Sequence, residues 1–369
     1  MLGRVYSSSL WLGILVATVV ATSACTDSAP EQERVQLEGE IFGTFYQVTV
    51  VQDLEEDEVD RLQAGFMDEL EAVDASMSTY RDDAELMKFN GSEPGEWQSL
   101  SNELINVLTI SQTVAKASDG AFDVTIGDLV NLWSFGPEAR PEEIPDEQEL
   151  KSRLAEAGPD TLEVDSERGR ARRLSDNFID LSAVAKGYGV DRVATYLDEQ
   201  GIDHYLVNIG GELTAKGYRD GNDAPWRIGV EVPDPEGGGD VAQHILPLHD
   251  ISVATSGDYR QYFETDGKRY SHTLDPRDGR PVRHHLASVT VLHESSAWAD
   301  AWATALMVLG PEDALALAQR EDLAVLTLVG SEDDDEWESH VSQAFVDHMG
   351  IDHIEEMGLA PPDDDGSRN

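Results

Sequence analysis

The sequence predicts an α+β fold of mixed sheets with packed helices. Strand-like and helix-like stretches mix along the 369 residues, and several predicted strands are neighbours in sequence, which favours α+β over a doubly wound sheet. No G-x-G-x-x-G motif follows the first predicted strand, so a Rossmann dinucleotide site is not expected. Apolar residues make up 40% of the chain, enough for a hydrophobic core.

The first half of the chain shows both the alternation that is typical of strands and the apolar spacing that is typical of helices. Val35–Val51 alternates apolar and polar residues, as a half-buried strand does. Apolar residues at helical spacing predict a helix over 57–75, and a second one is marked by Leu104 to Val114. Residues 136–160 are rich in proline and acidic residues, which predicts a surface insertion or loop.

The second half predicts several strands in succession, with helices before and after them. A helix near 183–199 lies between two short predicted strands, and later strands precede and follow a pair of helices. The predicted strands are Ile179–Leu181, Tyr205–Ile209, Trp226–Val232, Ile251–Thr255, Ala287–Leu292 and Leu323–Val329, the helices are Ser296–Leu309 and Glu312–Arg320, and Asp234–Asp240 is predicted as a turn. We expect one domain over 35–345 and an acidic, disordered tail over 346–369.

The N-terminus is typical of an exported protein. Arg4, the apolar run from Leu10 to Ala21 and the small residues after it predict a signal peptide over 1–25. Thr22-Ser23-Ala24-Cys25 resembles a bacterial lipobox, in which Cys25 would be lipidated, although Thr22 stands where lipoboxes prefer leucine. An ordinary signal peptide with a chance cysteine is the alternative. Residues 26–34 then form a tether, and lipidation would place the protein outside the cytoplasm on a membrane.

Charge and cysteine content exclude some classes of function. The formal net charge is −47, from 73 acidic and 26 basic residues, so binding to nucleic acid is not expected. A solvated acidic surface, suited to high salt, is the simplest interpretation. The single cysteine excludes an internal disulfide bond.

Asp300 and Thr304 form the first candidate site. On a helix, positions i and i+4 share one face, so a carboxylate and a hydroxyl would be presented together. These hard oxygen donors suit Mg²⁺, and the lack of a cysteine cluster or a paired-histidine motif gives zinc little support. Taken alone, the pair fits a local hydrogen bond or a solvated face equally well.

Four further segments carry candidate functional groups. In 180–187, Asp180 ends an apolar segment and Lys186 opens a predicted helix, an arrangement that favours phosphate. The paired glycines in 208–212 permit a turn or a close ligand contact. His272, just before the turn-forming 275–279, is suited to acid–base chemistry, and aromatics beside small residues in 120–136 could stack on a ring. Each segment taken singly fits a structural role as well.

Taken in order, these segments resemble the FAD:protein FMN transferase family, also called ApbE. The resemblance spans about residues 40 to 330. The matching stretches are Phe42-Gly43-Thr44, Ser78-Thr79-Tyr80 through Phe89-Asn90, GAFDVTIGDLVNLWSFGP at 120–137, IDLSAVAKGYGVD at 179–191, LVNIGGEL at 206–213, ATSGDYRQY at 254–262, SHTLDPRDGRPV at 271–282 and ADAWATALMVLG at 299–310.

The resemblance implies an ApbE-like α+β fold, related to the T-fold, that binds FAD in a central cleft with Mg²⁺ at its diphosphate. It implies metal ligation by the Ala183 carbonyl and the side chains of Asp300 and Thr304. It implies flavin contacts from Phe42, Tyr80, Ala121, Phe122, Asp123, Asp180, Lys186 and Leu274. The chain has Phe42 where the family often has methionine, and Ala183 where some members have threonine.

The family's activity implies that a threonine or serine hydroxyl of an acceptor protein attacks the FMN phosphorus of FAD, releasing AMP. His272 is the first candidate for the base, and Asp300 is expected to be essential. The family's acceptors resemble subunits of the sodium-translocating NADH:quinone reductase and of the Rnf complex, which face the exported side. Two alternatives stay open: an FAD pyrophosphatase that gives FMN and AMP, and a flavin-binding or solute-binding lipoprotein without turnover.

Overall fold

The structure is a computed structural model and describes residues 33–138, 140–141, 143–231, 242–257, 262–265, 268–330 and 337–362. These residues all belong to one compact unit, Gln32–Asn369. Cys25, the predicted signal segment, most of the predicted tether and the predicted turn over 234–240 lie outside the described residues.

Helices and runs of consecutive strands share the described chain, as the α+β prediction expected. The strands are β1 (Arg34–Ile41), β2 (Thr44–Val51), β3 (Gln98–Ser99), β4 (Leu162–Asp165), β5 (Arg170–Arg173), β6 (Tyr205–Ile209), β7 (Glu212–Lys216), β8 (Trp226–Glu231), β9 (Ala242–Leu248), β10 (Ile251–Gly257), β11 (Tyr262–Thr265), β12 (Lys268–Ser271), β13 (Leu274–Asp275), β14 (Arg280–Pro281), β15 (Leu286–His293), β16 (Ala324–Gly330) and β17 (Trp337–Val341). The helices are α1 (Glu56–Met77), α2 (Glu85–Asn90), α3 (Asn102–Ala117), α4 (Gly127–Leu132), α5 (Glu147–Glu156), α6 (Ala185–Glu199), α7 (Ser296–Leu309), α8 (Pro311–Arg320), α9 (Gln343–Met349) and α10 (Ile351–Glu356).

The centre of the fold is an eight-stranded sheet in the order β1-β2-β6-β7-β10-β15-β16-β17. Every neighbouring pair in it is antiparallel. Alternation sends successive side chains to opposite faces: Val253 packs in one apolar cluster and Ala254 in another. The α+β prediction is therefore confirmed, with antiparallel pairing throughout the main sheet.

Helices α1, α3, α6 and α7 cover one face of the sheet, and the β8–β9 hairpin with α9 and α10 covers the other. Helix α7 is apolar on nearly all sides because it lies between the sheet, α3, α6 and α8. Asp300 is an exception in this apolar surrounding, being only 3% exposed. A charged group at such a depth needs a specific partner.

Three predicted segments differ in detail in the structure. Val35–Val51 is two strands, joined by a two-residue turn in which Phe42 (φ +54°) and Gly43 (φ +73°) are both left-handed. The predicted loop over 136–160 contains helix α5, whose first turn Asp146 caps. The helix expected near 183–199 is α6, which begins at Ala185.

Two predictions were wrong. Ile179–Leu181 is not a strand, because the backbone of Ile179 is bound by the Asn90 side chain rather than by a neighbouring strand. The predicted disordered tail is helical over much of 346–362, where α9 ends and α10 follows, and Ile354 is fully buried against the sheet. Residues 363–369 lie outside the described chain. Within the residues that are described, no helix combines the length and the apolar character that a membrane span requires.

Candidate active site

The site centres on one ammonium between two buried carboxylates. Lys186 stands in the first turn of α6, and its Nζ lies 2.9 Å from Glu212 Oε1 and 3.6 Å from Asp300 Oδ2. Glu212 begins β7, and Asp300 lies in the first half of α7. Both acids are almost inaccessible, at 5% and 3% exposure, whereas the Lys186 side chain keeps 30% of its surface. The ammonium is therefore held inside the protein next to two carboxylates, while part of the Lys186 side chain remains exposed.

Charge and burial act in opposite directions on these groups. Burial alone would lower the pKa of Lys186, but the nearby carboxylates of Asp300 and Glu212 outweigh burial and raise it. Burial raises the pKa of Glu212 to about 7, although the Lys186 ammonium pulls it down. Lysine 186 is thus a permanent cation, suited to a phosphate.

The turn between β6 and β7 brings Glu212 to Lys186. Gly210 (φ +63°) and Gly211 (φ +111°) form the turn, and Asn208 Oδ1 accepts a 3.0 Å bond from the Gly211 N–H. A Cβ on Gly210 would lie 2.8 Å from Thr44 and 3.5 Å from Lys186 Cδ. The predicted glycine turn is therefore present, and it lets three chain segments meet.

Hydrogen bonds from the N-terminus of α7 to an acidic residue in the middle of α6 hold the two helices together. The Asp191 carboxylate of α6 accepts bonds from the Ser295 hydroxyl (2.6 Å) and from the N–H groups of Ser296 (2.7 Å) and Ala297 (3.0 Å). It caps the N-terminus of α7 from another helix, which satisfies donors that a helix leaves open. This cap sets the relative position of the helices that carry Lys186 and Asp300.

The three predicted metal ligands, Ala183, Asp300 and Thr304, carry oxygen atoms of the kind that bind a hard cation. The Gly187 N–H donates to Asp300 Oδ2 at 3.0 Å, and among the described residues no hydrogen bond reaches the Ala183 carbonyl, four residues earlier. Thr304 lies one turn beyond Asp300, with its Oγ1 3.4 Å from Ser256 Oγ. The described part of the chain contains no group of three or more His, Cys, Asp or Glu residues suited to a metal. A carboxylate, a carbonyl and a hydroxyl fit Mg²⁺, which takes few protein ligands and completes its shell with water and substrate phosphates.

A second acidic group forms where two loops run side by side. The Asp180 N–H donates to the Val124 carbonyl (2.8 Å), which places Asp180 beside the segment that holds Asp123. Each carboxylate is 8% exposed and accepts a local N–H, Asp123 from Thr125 and Asp180 from Ser182. Burial raises the pKa of Asp123 to about 6.

Tyr80 lies close to this group but faces solvent. Burial and the charge of Asp180 raise the pKa of its phenol, yet the residue is 75% exposed. A large aromatic with so much free surface near the Asp180 carboxylate can stack on a planar ligand while that acid accepts a hydrogen bond from the ligand's edge.

The predicted contacts at Ala121, Phe122 and Phe42 lie in or against the core. Ala121 and Phe122 are 0% and 2% exposed, and their N–H groups are bonded to Ser118, so the predicted direct contacts of these two residues with a ligand are not seen in the structure. The Phe42 ring covers α6, where a Cβ on Gly189 would lie 2.7 Å from it. Phe42 thus joins the first hairpin to the helix that carries Lys186.

His272 and Leu274 lie in a third group, beyond α7. The His272 ring meets Phe135 edge-on, with centroids 6.3 Å apart. Leu274 is buried with Trp133 and Tyr270, and its strand β13 packs on α7. The structure therefore places this segment against the Asp300 helix, while Leu274 itself belongs to a small apolar core.

Three residues that matter to the site were not singled out from the sequence: Glu212, Asp191 and Asn90. All three stand inside the stretches that carried the family resemblance. Asn90 binds both backbone groups of Ile179, at 2.8 and 2.9 Å, and so positions Asp180. The signal for Glu212 was its place directly after two glycines, where its side chain is set by the turn.

Comparisons of the sequence and of the structure with known proteins all find similarity to the same family. The model of the ApbE family matches residues 42–327. An FAD:protein FMN transferase of Vibrio cholerae serotype O1 is 41% identical over 91% of this chain and 97% of the relative, and one of Escherichia coli K12 is 37% identical over 84% and 87%. The solved flavin transferase ApbE from Vibrio cholerae superposes with a TM-score of 0.78 at 40% identity, covering 85% of this chain and 98% of that one. The apo flavinyl transferase ApbE of Pseudomonas stutzeri also gives 0.78, at 37% identity, with 86% and 98% covered.

Proposed function

The chain belongs to the ApbE family, and on that premise we propose that it is an FAD:protein FMN transferase that attaches FMN to a threonine or serine of an acceptor protein and releases AMP. The observation that carries the proposal is the pairing of Lys186 with Asp300, 3.6 Å apart, in a segment whose Ala183 carbonyl accepts no hydrogen bond from the described residues. A cation, a carboxylate and free oxygen ligands in one place suit a diphosphate with its metal.

The transfer exchanges one phosphorus–oxygen bond for another. The acceptor hydroxyl oxygen bonds to the FMN phosphorus, and the bond from that phosphorus to the bridging oxygen breaks. AMP leaves with the bridging oxygen and its electron pair. The hydroxyl proton passes to a base, for which we propose His272, since its segment packs against the Asp300 helix.

Mg²⁺ is proposed to be held by the Ala183 carbonyl, the Asp300 carboxylate and the Thr304 hydroxyl. When bound, it would neutralise phosphate charge as the leaving group departs. The chain itself fixes Asp300 through the Gly187 N–H, so the carboxylate needs little rearrangement. Lys186 adds a second positive charge next to Asp300.

Flavin binding is proposed at the second acidic group. Tyr80 offers an exposed ring for stacking, and Asp123 and Asp180 offer carboxylates beside it. Ala121, Phe122 and Leu274 are buried, so we propose that they support this site through their packing, and that Phe42 supports it from the first hairpin.

One experiment separates transfer from its alternatives. The purified protein is mixed with FAD, Mg²⁺ and a flavin-acceptor domain, and covalent flavin fluorescence on denatured acceptor is measured together with free AMP. Fluorescent acceptor and AMP in equal amounts are expected. AMP and FMN without labelled acceptor would indicate an FAD pyrophosphatase, and neither product would indicate a binding protein. Asp300→Ala should abolish turnover, while Asp60→Asn, an exposed change on α1, should not.

We also propose that the protein is lipid-anchored at Cys25 and works outside the cytoplasm, on the periplasmic side of the inner membrane. The support is the signal-like segment ending in the only cysteine. Acceptors resembling subunits of the sodium-translocating NADH:quinone reductase and of the Rnf complex agree with that location. Cys25→Ser should move the protein from the membrane fraction to the soluble fraction, and membrane retention of that variant would contradict the anchor.

A further inference from the structure

We propose that Glu212 is a positioning residue that holds the Lys186 ammonium away from Asp300, so that the Asp300 carboxylate is open to a divalent cation. The inference deepens the proposed function and rests on it, because it assigns the cation to Asp300.

The distances show which carboxylate holds the ammonium. Lys186 Nζ is at hydrogen-bonding distance from Glu212 Oε1, 2.9 Å, and beyond it from Asp300 Oδ2, 3.6 Å. Asp300 Oδ2 already accepts the Gly187 N–H at 3.0 Å. Glu212 is therefore the primary partner of Lys186, and Asp300 is a secondary one.

Asp300 faces two candidate cations, and it cannot serve both equally. An ammonium drawn onto this carboxylate would repel a divalent ion and occupy one of its oxygens. Because Glu212 gives Lys186 an alternative anion, the ammonium can stay in the site, where a phosphate can meet it, without closing Asp300. Removing the Glu212 charge would leave Asp300 as the remaining carboxylate of the pair, and the ammonium would move toward it.

Glu212 is built into the fold in a way that suits this role. It follows the Gly210–Gly211 turn, is 5% exposed and cannot swing into solvent. Among the described residues, nothing donates a hydrogen bond to its second oxygen, Oε2. A buried ion pair that served only stability would be expected to satisfy both oxygens, since an unpaired buried acceptor is costly.

A simpler explanation is that Glu212 attracts the cation only by its negative charge. The two explanations differ in their dependence on Lys186. A charge effect persists when Lys186 is replaced by methionine, whereas a positioning effect disappears, because no ammonium is left to hold.

The test is a double-mutant cycle read out as Mn²⁺ affinity of the full-length protein without FAD, by electron paramagnetic resonance. The variants are Glu212→Gln, Lys186→Met and the double variant. Glu212→Gln is expected to weaken Mn²⁺ binding at least tenfold, Lys186→Met to leave it as tight as wild type or tighter, and Glu212→Gln in the Lys186→Met background to change it less than twofold.

Glu69→Gln is the matched control. Glu69 lies on α1 and pairs with Arg192 of α6, not with Lys186, and this change should leave Mn²⁺ affinity as it is. Equal losses from Glu212→Gln in both backgrounds, or no loss in the wild-type background, would overturn the proposal. A wild-type protein that binds no Mn²⁺ would overturn the metal part of the proposed function, and this inference with it. If Glu212→Gln does not fold, Glu212→Asp completes the same cycle, since it keeps the charge but withdraws it from Lys186.

Discussion

A Cβ atom on Gly187 would lie 2.3 Å from the carbonyl oxygen of Ser296, so α6 and α7 approach each other there as closely as two backbones can. Gly187 also gives its N–H to Asp300 Oδ2. The separation of Lys186 from Asp300 thus depends on a residue without a side chain. Close approach of this kind requires glycine, because the neighbouring atoms belong to the backbone of α7 and cannot move aside for a side chain.

Gly187→Ala should therefore damage both stability and cation binding. Overpacking against a backbone carbonyl costs about 1–3 kcal/mol, and the helices must separate to relieve it. Urea unfolding should show the loss, and Mn²⁺ affinity should fall at least tenfold. Gly91→Ala is the control, because Gly91 has φ −83° and its nearest neighbour would lie at 3.4 Å. A Gly187→Ala protein that matches wild type in both measurements would contradict the close contact.

Asp191→Ala should also loosen the packing of α6 against α7, because it removes the hydrogen bonds between Asp191 and the start of α7. The carboxylate accepts three hydrogen bonds at the start of α7, and its loss leaves buried donors unpaired, at about 1–3 kcal/mol. Asp146 caps α5 locally, so Asp146→Ala should cost about 1 kcal/mol. Only Asp191→Ala should also weaken Mn²⁺ binding. Equal Mn²⁺ affinities in the two variants would mean that the cap is purely structural.

The fold could be predicted from the sequence wherever a single periodicity ran without interruption. Helix α7 was predicted over Ser296–Leu309, the bounds it has. The segment 179–181 could not be predicted, because its backbone is satisfied by Asn90, a side chain 89 residues away. Helix α10 was hidden by its acidic composition, since Ile354 is buried there among charged neighbours.

The candidate site, like the fold, has a part that could be predicted from the sequence and a part that could not. Lys186, Asp300 and Thr304 stand in segments that can be recognised one at a time. The partnership of Lys186 with Glu212 joins α6 to β7 and depends on the turn at Gly210, whose geometry no local pattern specifies. The cap of α7 by Asp191 likewise joins residues 104 to 106 positions apart.

Thr304→Val should weaken Mn²⁺ binding about tenfold, whereas Thr304→Ser should retain it. Valine keeps the shape of threonine but loses the hydroxyl, and serine keeps the hydroxyl. Isothermal titration with Mn²⁺ measures the difference. Thermal unfolding of both variants serves as a check on folding, since the bond from Thr304 to Ser256 is long, at 3.4 Å, and its loss should cost little. If the valine variant binds Mn²⁺ as tightly as the serine variant, Thr304 is not a ligand.

Stability should rise steeply with salt. A formal net charge of −47 makes the folded protein repel itself, and salt screens that repulsion. The midpoint of thermal unfolding should increase as KCl is raised from 0.05 M to 1 M. Most of this increase should occur at the lower KCl concentrations. Sucrose at matched osmolality is the control for effects unrelated to charge. A flat response to KCl would argue against adaptation to high salt.

Asp123→Asn should stabilise the protein at neutral pH and not in acid. Burial raises the pKa of Asp123 from its ordinary value of 3.8 to about 6, so the folded state holds the proton more tightly than the unfolded state. Its contribution is therefore most favourable below pH 3.8 and is lost as the pH rises through 6. Above that, the ionised buried carboxylate costs on the order of 2–3 kcal/mol, which asparagine avoids while still accepting the Thr125 N–H.

Urea unfolding at pH 4 and pH 7.5, without FAD, measures this difference. The variant should be roughly 1–3 kcal/mol more stable than wild type at pH 7.5 and close to it at pH 4. Asp60→Asn, exposed on α1, should show no such dependence. FAD affinity should fall in the Asp123→Asn protein, because the proposed flavin contact needs the charge. A gain in stability coupled to a loss in binding is the signature of a carboxylate kept for its ligand, and a wild type that is the more stable protein at pH 7.5 would contradict it.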